Sequence, residues 1–170
     1  SNTLTINGNF NINNNSWVHV AHNGDEGGDI YSALNVSKDL NISSDSELSL
    51  ISNGGSGNDP TIHASLNVGG TVYNSGRLIS YGGPQAGRTY GSFSINNLVN
   101  AGTFIFDSPN ALNGTFNNVT QTGGYFQQGG TNDFHINGTL TVRGGTLGNN
   151  DAIVVGADSG KFSVGQNLNL

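Results

Sequence analysis

Phe134-His135-Ile136-Asn137-Gly138-Thr139-Leu140-Thr141-Val142 reads as two short strands joined by a corner. Alternation of period two puts Phe134 and Ile136 on one face and His135 on the other. Asn-Gly-Thr turns the chain, after which Leu140 and Val142 point inward again. The same frame stands at Leu4 to Ile12, Leu34 to Ile42, Leu66 to Val72 and Phe162 to Leu170. Phe93-Ser-Ile95 followed by Val99 fits it, and Asn110 to Phe116 keeps its second half while losing the first apolar residue. With starts at residues 4, 34, 66, 93, 110, 134 and 162, the spacings are 30, 32, 27, 17, 24 and 28. A recurring unit too small to bury its own apolar face must stack on its neighbours. The frame therefore predicts an all-β solenoid of about seven coils, one domain over residues 1–170. Ile6, Val36, Val68, Ile95, Ile136 and Val164 share one position and are expected to form a continuous inward column.

Each of the first three units adds a third strand and then an excursion. The strands are Trp17 to Val20, Leu48 to Ile51 and Leu78 to Tyr81; the excursions run over 22–29, 53–60 and 82–88. A coil needs roughly 20 residues, so the surplus leaves the stack as lateral loops on one flank. Counting back from Leu34, Leu66 and Phe93 aligns Tyr31, His63 and Tyr90, with Ile30, Ile62 and Thr89 one place earlier. One column must face the core and the other solvent. Later coils are tighter, with third strands at Phe104-Ile-Phe106, 123–130 and Ile153-Val-Val155, and no helical period occurs.

Only 9% of residues are charged, whereas Gly and Asn each number 27. On a stacked parallel sheet identical side chains lie about 4.8 Å apart, where like charges repel and neutral amides can form hydrogen-bonded ladders. The formal charge of -6 with five basic residues excludes a nucleic-acid partner and disfavours any acidic polymer. Cysteine is absent, so there is no disulfide framework, and no apolar run is long enough for a transmembrane segment. Ser1-Asn2 reads as the remnant of a cleaved tag and Leu170 falls in mid-coil, so the chain is expected to be a piece of a longer solenoid.

The strand, corner, strand frame, the Gly-Gly-Thr runs, the Asn content and the lack of Cys resemble right-handed parallel β-helix passengers secreted by Gram-negative bacteria through type V routes. Lys38-Asp-Leu-Asn-Ile-Ser and Asn137-Gly-Thr-Leu-Thr-Val resemble the high-molecular-weight adhesins and filamentous haemagglutinins of two-partner secretion. The Asn-rich style is similar to the vacuolating-cytotoxin-like autotransporters. The resemblance spans essentially the whole chain and implies right-handed coiling, secretion to the bacterial surface or outer membrane, and a non-catalytic adhesin role. A self-associating or toxin-like passenger module and a polysaccharide lyase or hydrolase are the alternatives.

The expected ligand-binding residues are Asp25, Asp29, Tyr31, Asp59, His63, Tyr81, Arg88 and Tyr90, on the flank where the three excursions emerge. Aromatic rings offer surfaces to sugars or peptide side chains, and the charged groups take hydroxyls or opposite charges. Equally open at this point is that Tyr31, His63 and Tyr90 stack on one another and shield the loop bases. The partner would be a host or bacterial surface glycan or protein, or a second copy of the chain. Gly54-Gly-Ser-Gly-Asn-Asp59 begins like a calcium-binding nonapeptide, but such sites need tandem copies and there is one here, so a turn is the better reading. Asp25, Glu26 and Asp29 have no nearby Lys or Arg in their own unit to serve lyase chemistry, and His19, His22, His63 and His135 lack metal-ligand spacing. No catalytic residue, metal or cofactor is expected.

Overall fold

The apolar alternation becomes strand wherever the chain is described. The computed structural model describes residues 1–22, 29–52, 61–81, 89–107, 112–128, 133–144, 153–155 and 162–170. In chain order the strands are β1 (Asn2–Ile6), β2 (Phe10–Ile12), β3 (Trp17–His22), β4 (Ile30–Val36), β5 (Leu40–Ile42), β6 (Glu47–Ser52), β7 (Ile62–Asn74), β8 (Arg77–Tyr81) and β9 (Thr89–Asn100). They continue as β10 (Thr103–Asp107), β11 (Leu112–Gln121), β12 (Tyr125–Gln128), β13 (Asp133–Ile136), β14 (Leu140–Val142), β15 (Ile153–Val155), β16 (Phe162–Val164) and β17 (Leu168–Asn169). No helix occurs among the described residues.

Two sheets result, and the strand pairs within them are parallel. The larger runs β1-β4-β7-β9-β11-β13-β16, with β2, β5, β14 and β17 attached beside that path; the smaller runs β15-β12-β10-β8-β6-β3. The chain thus returns to each sheet one strand further along, the order of a parallel β-solenoid. In β7, β9 and β11 the first two strands of the unit join into one long strand, where separate strands are expected from the frame. Elsewhere the corner survives. At Gly138 a Cβ would crowd the Asn117 carbonyl and the Asn118 side chain, so the corner closes over the preceding strand only without one.

The expected inward column forms, with one addition. Ile6, Val36, Val68, Ile95, Phe116, Ile136 and Val164 lie opposite one another in succession. All but the two end residues are buried. Phe116 here corrects the fifth frame start: the partner of both Phe93 and Phe134 is Gly114, four places after the expected Asn110. Phe116 therefore belongs to the first strand of its unit and Val119, opposite Leu98 and Leu140, to the second.

The cause is steric. A Cβ on Gly114 would fall inside the Phe93 ring, which occupies the space above that backbone. The ring reaches past the gap to Phe134, two strands away, at a centroid distance of 5.0 Å, and touches Phe106 at 4.7 Å and Phe116 at 4.8 Å. Phe104 and Phe126 stack at 4.6 Å beside them. A sixfold phenylalanine cluster thus fills the interior where the coils are tightest, while Leu, Ile and Val fill the first three. Each such buried side chain is worth about 1.5–3 kcal/mol by area, which makes this column the main support of the stack.

A second inward column changes chemistry along its length. Ile12 and Ile42 are followed by Asn74, Asn100 and Gln121, then Val142. The three amides are essentially inaccessible. Asn74 Nδ2 donates to Asn100 Oδ1 at 2.7 Å, and Asn100 Nδ2 to Gln121 Oε1 at 2.9 Å; Asn100 Nδ2 also reaches the Tyr125 carbonyl at 3.0 Å. Asn74 Oδ1, whose column neighbour on the far side is Ile42, is buried without a protein partner. Asn100→Ala should lower the urea midpoint by an amount equivalent to about 3 kcal/mol. It removes the donor to the buried Gln121 side chain and to the part-buried Tyr125 carbonyl together, an unsatisfied buried group costing about 1–3 kcal/mol. An unchanged midpoint would show that the ladder does not hold the coils.

Outward positions carry the ladders that the composition predicts. Asn41 Nδ2 donates to Asn11 Oδ1 at 2.7 Å, Asn67 to Asn35 at 2.8 Å and Asn118 to Asn97 at 3.0 Å. His135 continues one such column, with Nδ1 2.6 Å from Ser163 Oγ. Glu47 and Arg77, opposite one another in the smaller sheet, form an ion pair at 3.0 Å with Arg77 half exposed. Pairs of that kind contribute about 0–1 kcal/mol, less than the apolar columns beneath them. At the exposed corner before β6, the Asp45 carboxyl is held below its ordinary value, first by the Ser43 hydroxyl and then by that of Ser46. A lowered carboxyl favours the folded corner above its ordinary value, and that support is lost as pH falls through the lowered one.

Candidate functional site

Ile62 is buried and Ile30 half-buried, which decides the orientation of the strands that follow the excursions. With the isoleucines turned inward, the neighbouring Tyr31, His63 and Tyr90 must face outward, and their backbones pair directly. Their rings stack. Tyr31 and His63 lie 4.4 Å apart at an interplanar angle of 3°, and His63 and Tyr90 5.2 Å apart at 15°. Each contact is worth about 0.5–1.5 kcal/mol beyond area burial. Mutual stacking is thus what the column does, and both faces of His63 are occupied by its neighbours. Tyr31 is 46% and Tyr90 43% exposed, so both end rings of the column remain open to solvent.

The strand ends around the excursions are also in register. Ala21 and His22 pair with Ile51 and Ser52 where the chain leaves, and Ile30 pairs with Ile62, and Ile62 with Thr89, where it returns. Asp29 is exposed, two places before Tyr31. Tyr81 ends β8 in the smaller sheet, its backbone opposite Asp107, and is not part of the aromatic column. Asp25, Asp59 and Arg88 lie outside the described residues, as do Glu26 and the Gly54 to Asp59 motif. Among the described residues no group of three or more His, Cys, Asp or Glu side chains could hold a metal ion, and no helix is long and apolar enough to cross a membrane.

One feature of the face is not anticipated from the frame. Two residues along from each ring, on the same outward side, stand Ala33, Ser65 and Ser92, with Thr3 preceding them in register. These small side chains form the floor of an open groove of about 290 Å³ along the foot of the aromatic column. Two places further along the same outward side stand Asn35 and Asn67, bonded to one another, which line a second depression. The signal was present in the sequence: the residue two places after each aligned aromatic is small in all three units. No protein-family model, curated protein or solved structure matches this chain.

Proposed function

We propose that the chain is a non-catalytic segment of a secreted bacterial surface adhesin. In this reading it is a right-handed parallel β-helix of about seven coils, a stiff rod that holds loops from its first three coils on one flank. The observation that carries the reading is the register of the strand ends at Ala21/Ile51, His22/Ser52 and Ile30/Ile62/Thr89, which sets side by side the strands on which three successive excursions return and those from which the first two depart. Excursions that do not help close the coil need a reason other than the core, and a scaffold with surface loops is the usual arrangement for binding. Asp25, Asp29, Tyr31, Asp59, His63, Tyr81, Arg88 and Tyr90 would supply contacts from or beside the loops, to a host or bacterial surface glycan or protein.

The test is to shorten segments 23–28, 53–60 and 82–88 to tight Asn-Gly turns in the intact protein. Melting of the isolated chain should change by no more than a few degrees, because loop closure depends weakly on length, while adherence to host cells or to other bacteria should be lost. Undiminished adherence would contradict this reading.

A further inference from the structure

We propose that the outer face of the larger sheet is itself a binding site, for a neutral linear β-1,4-linked glycan lying along the stacking direction. The glycan occupies the groove between the Tyr31, His63 and Tyr90 column and the Asn35/Asn67 pair. This site shares the aromatic column with the reading above but uses none of the loops.

The lining selects the ligand. Among the described residues no side chain lining the groove carries a carboxylate, ammonium or guanidinium group, so a charged ligand would find no counter-charged side chain among them, and the chain's charge of -6 opposes a polyanion. Each of β4, β7 and β9 is paired on both sides, so this face offers no open backbone edge for a peptide strand.

A polyhydroxylated neutral chain meets none of these obstacles. Ser65 and Ser92 hydroxyls each donate and accept. The ladder uses one N–H of Asn67 and one lone pair of Asn35, and an amide has two donors and two acceptor lone pairs in all. The Ala33 methyl and the exposed parts of the Tyr31 and Tyr90 rings give apolar contact to sugar C–H groups. An outward aromatic ring followed two places on by a small residue repeats over three coils, about 4.8 Å apart, so Tyr31 to Tyr90 spans about 10 Å. An extended β-1,4-linked pyranose chain advances by nearly the same step per sugar with alternate rings turned over, which lets every second ring meet an equivalent partner, Tyr31 and then Tyr90. Asn35 and Asn67 themselves line a second depression of about 460 Å³, together with Thr5, Gly69 and Ser94 among others, and no charged side chain is in its described lining.

Isothermal titration of the folded chain with cellohexaose and with chitohexaose tests the site. At least one should bind with a Kd of about 0.1–1 mM. Ser65→Tyr, which fills the floor from an outward position, should weaken binding at least about tenfold while leaving the melting temperature within a few degrees; Ala33→Gln serves as a second blocking variant if the first does not fold. The loop-shortened protein should bind the sugar as well as the parent. Absence of heat with both oligosaccharides, equal affinity in the folded blocking variants, or tighter binding of an acidic hexagalacturonate would each overturn the proposal. Sugar silence combined with loop-dependent adherence removes the groove and keeps the adhesin reading. Sugar binding combined with loop-independent adherence does the reverse.

Discussion

Ile136→Asp is expected to leave the chain unfolded, with the β signal in far-ultraviolet circular dichroism lost in the absence of denaturant. Ile136 is 1% exposed and lies between Phe116 and Val164 in the inward column. The substituted carboxylate would have neither a cation nor a donor in that column, and the effective penalty for such a burial is several kcal/mol. The lost isoleucine burial adds about 2 kcal/mol or more. Together they reach the size of a domain's whole stability, about 5–15 kcal/mol. Ile136→Val, by contrast, should cost about 1 kcal/mol and keep the dichroism spectrum. A folded Ile136→Asp protein with an ordinary melting transition would mean that this position is not interior.

Gly114→Val comes second in expected size, at about 3 kcal/mol or more, because the new side chain would need the volume already filled by Phe93. That ring cannot move aside freely, being enclosed by Phe104, Phe106, Phe116 and Phe134. Phe93→Ala alone should cost about 3–5 kcal/mol through the cavity it leaves. Phe93→Ala with Gly114→Val should cost less than the sum by at least about 1 kcal/mol, since each change supplies what the other lacks. Additive denaturation free energies for the pair would show that the two positions do not share one space.

The alternation of apolar residues made most of the stacking legible, because a one-place slip would have turned Ile6, Val36, Val68, Ile95, Ile136 and Val164 out of the core together. The fifth unit was misplaced for a reason the alternation cannot carry. Gly114 is an inward position whose side chain is supplied by a residue from the preceding strand, so a frame that asks for an apolar residue at each inward place slides on to the next one available. The interior amides were hidden in the same way. Asn74, Asn100 and Gln121 occupy places that Ile12, Ile42 and Val142 mark as apolar, and sequence alone does not tell a satisfied interior ladder from the start of a turn.

Of the site, the alignment of Tyr31, His63 and Tyr90 was legible by counting, since it depends on strand register. Which side faced solvent had to wait for the burial of Ile30 and Ile62. The groove floor escaped notice because small residues carry no chemical signal until their neighbours are known to be tall.

The account depends on three rings, each a full coil apart in sequence, forming one column on the outer face. Nuclear Overhauser contacts between the ring protons of Tyr31 and His63, and between those of His63 and Tyr90, measure that in solution. Strong contacts for both pairs are the expected result, given separations of 4.4 and 5.2 Å. Absence of both, with the His63 ring instead contacting residues such as Leu66 or Val68 that the register places in the core, would contradict the stacking, the orientation of the flank and the groove together.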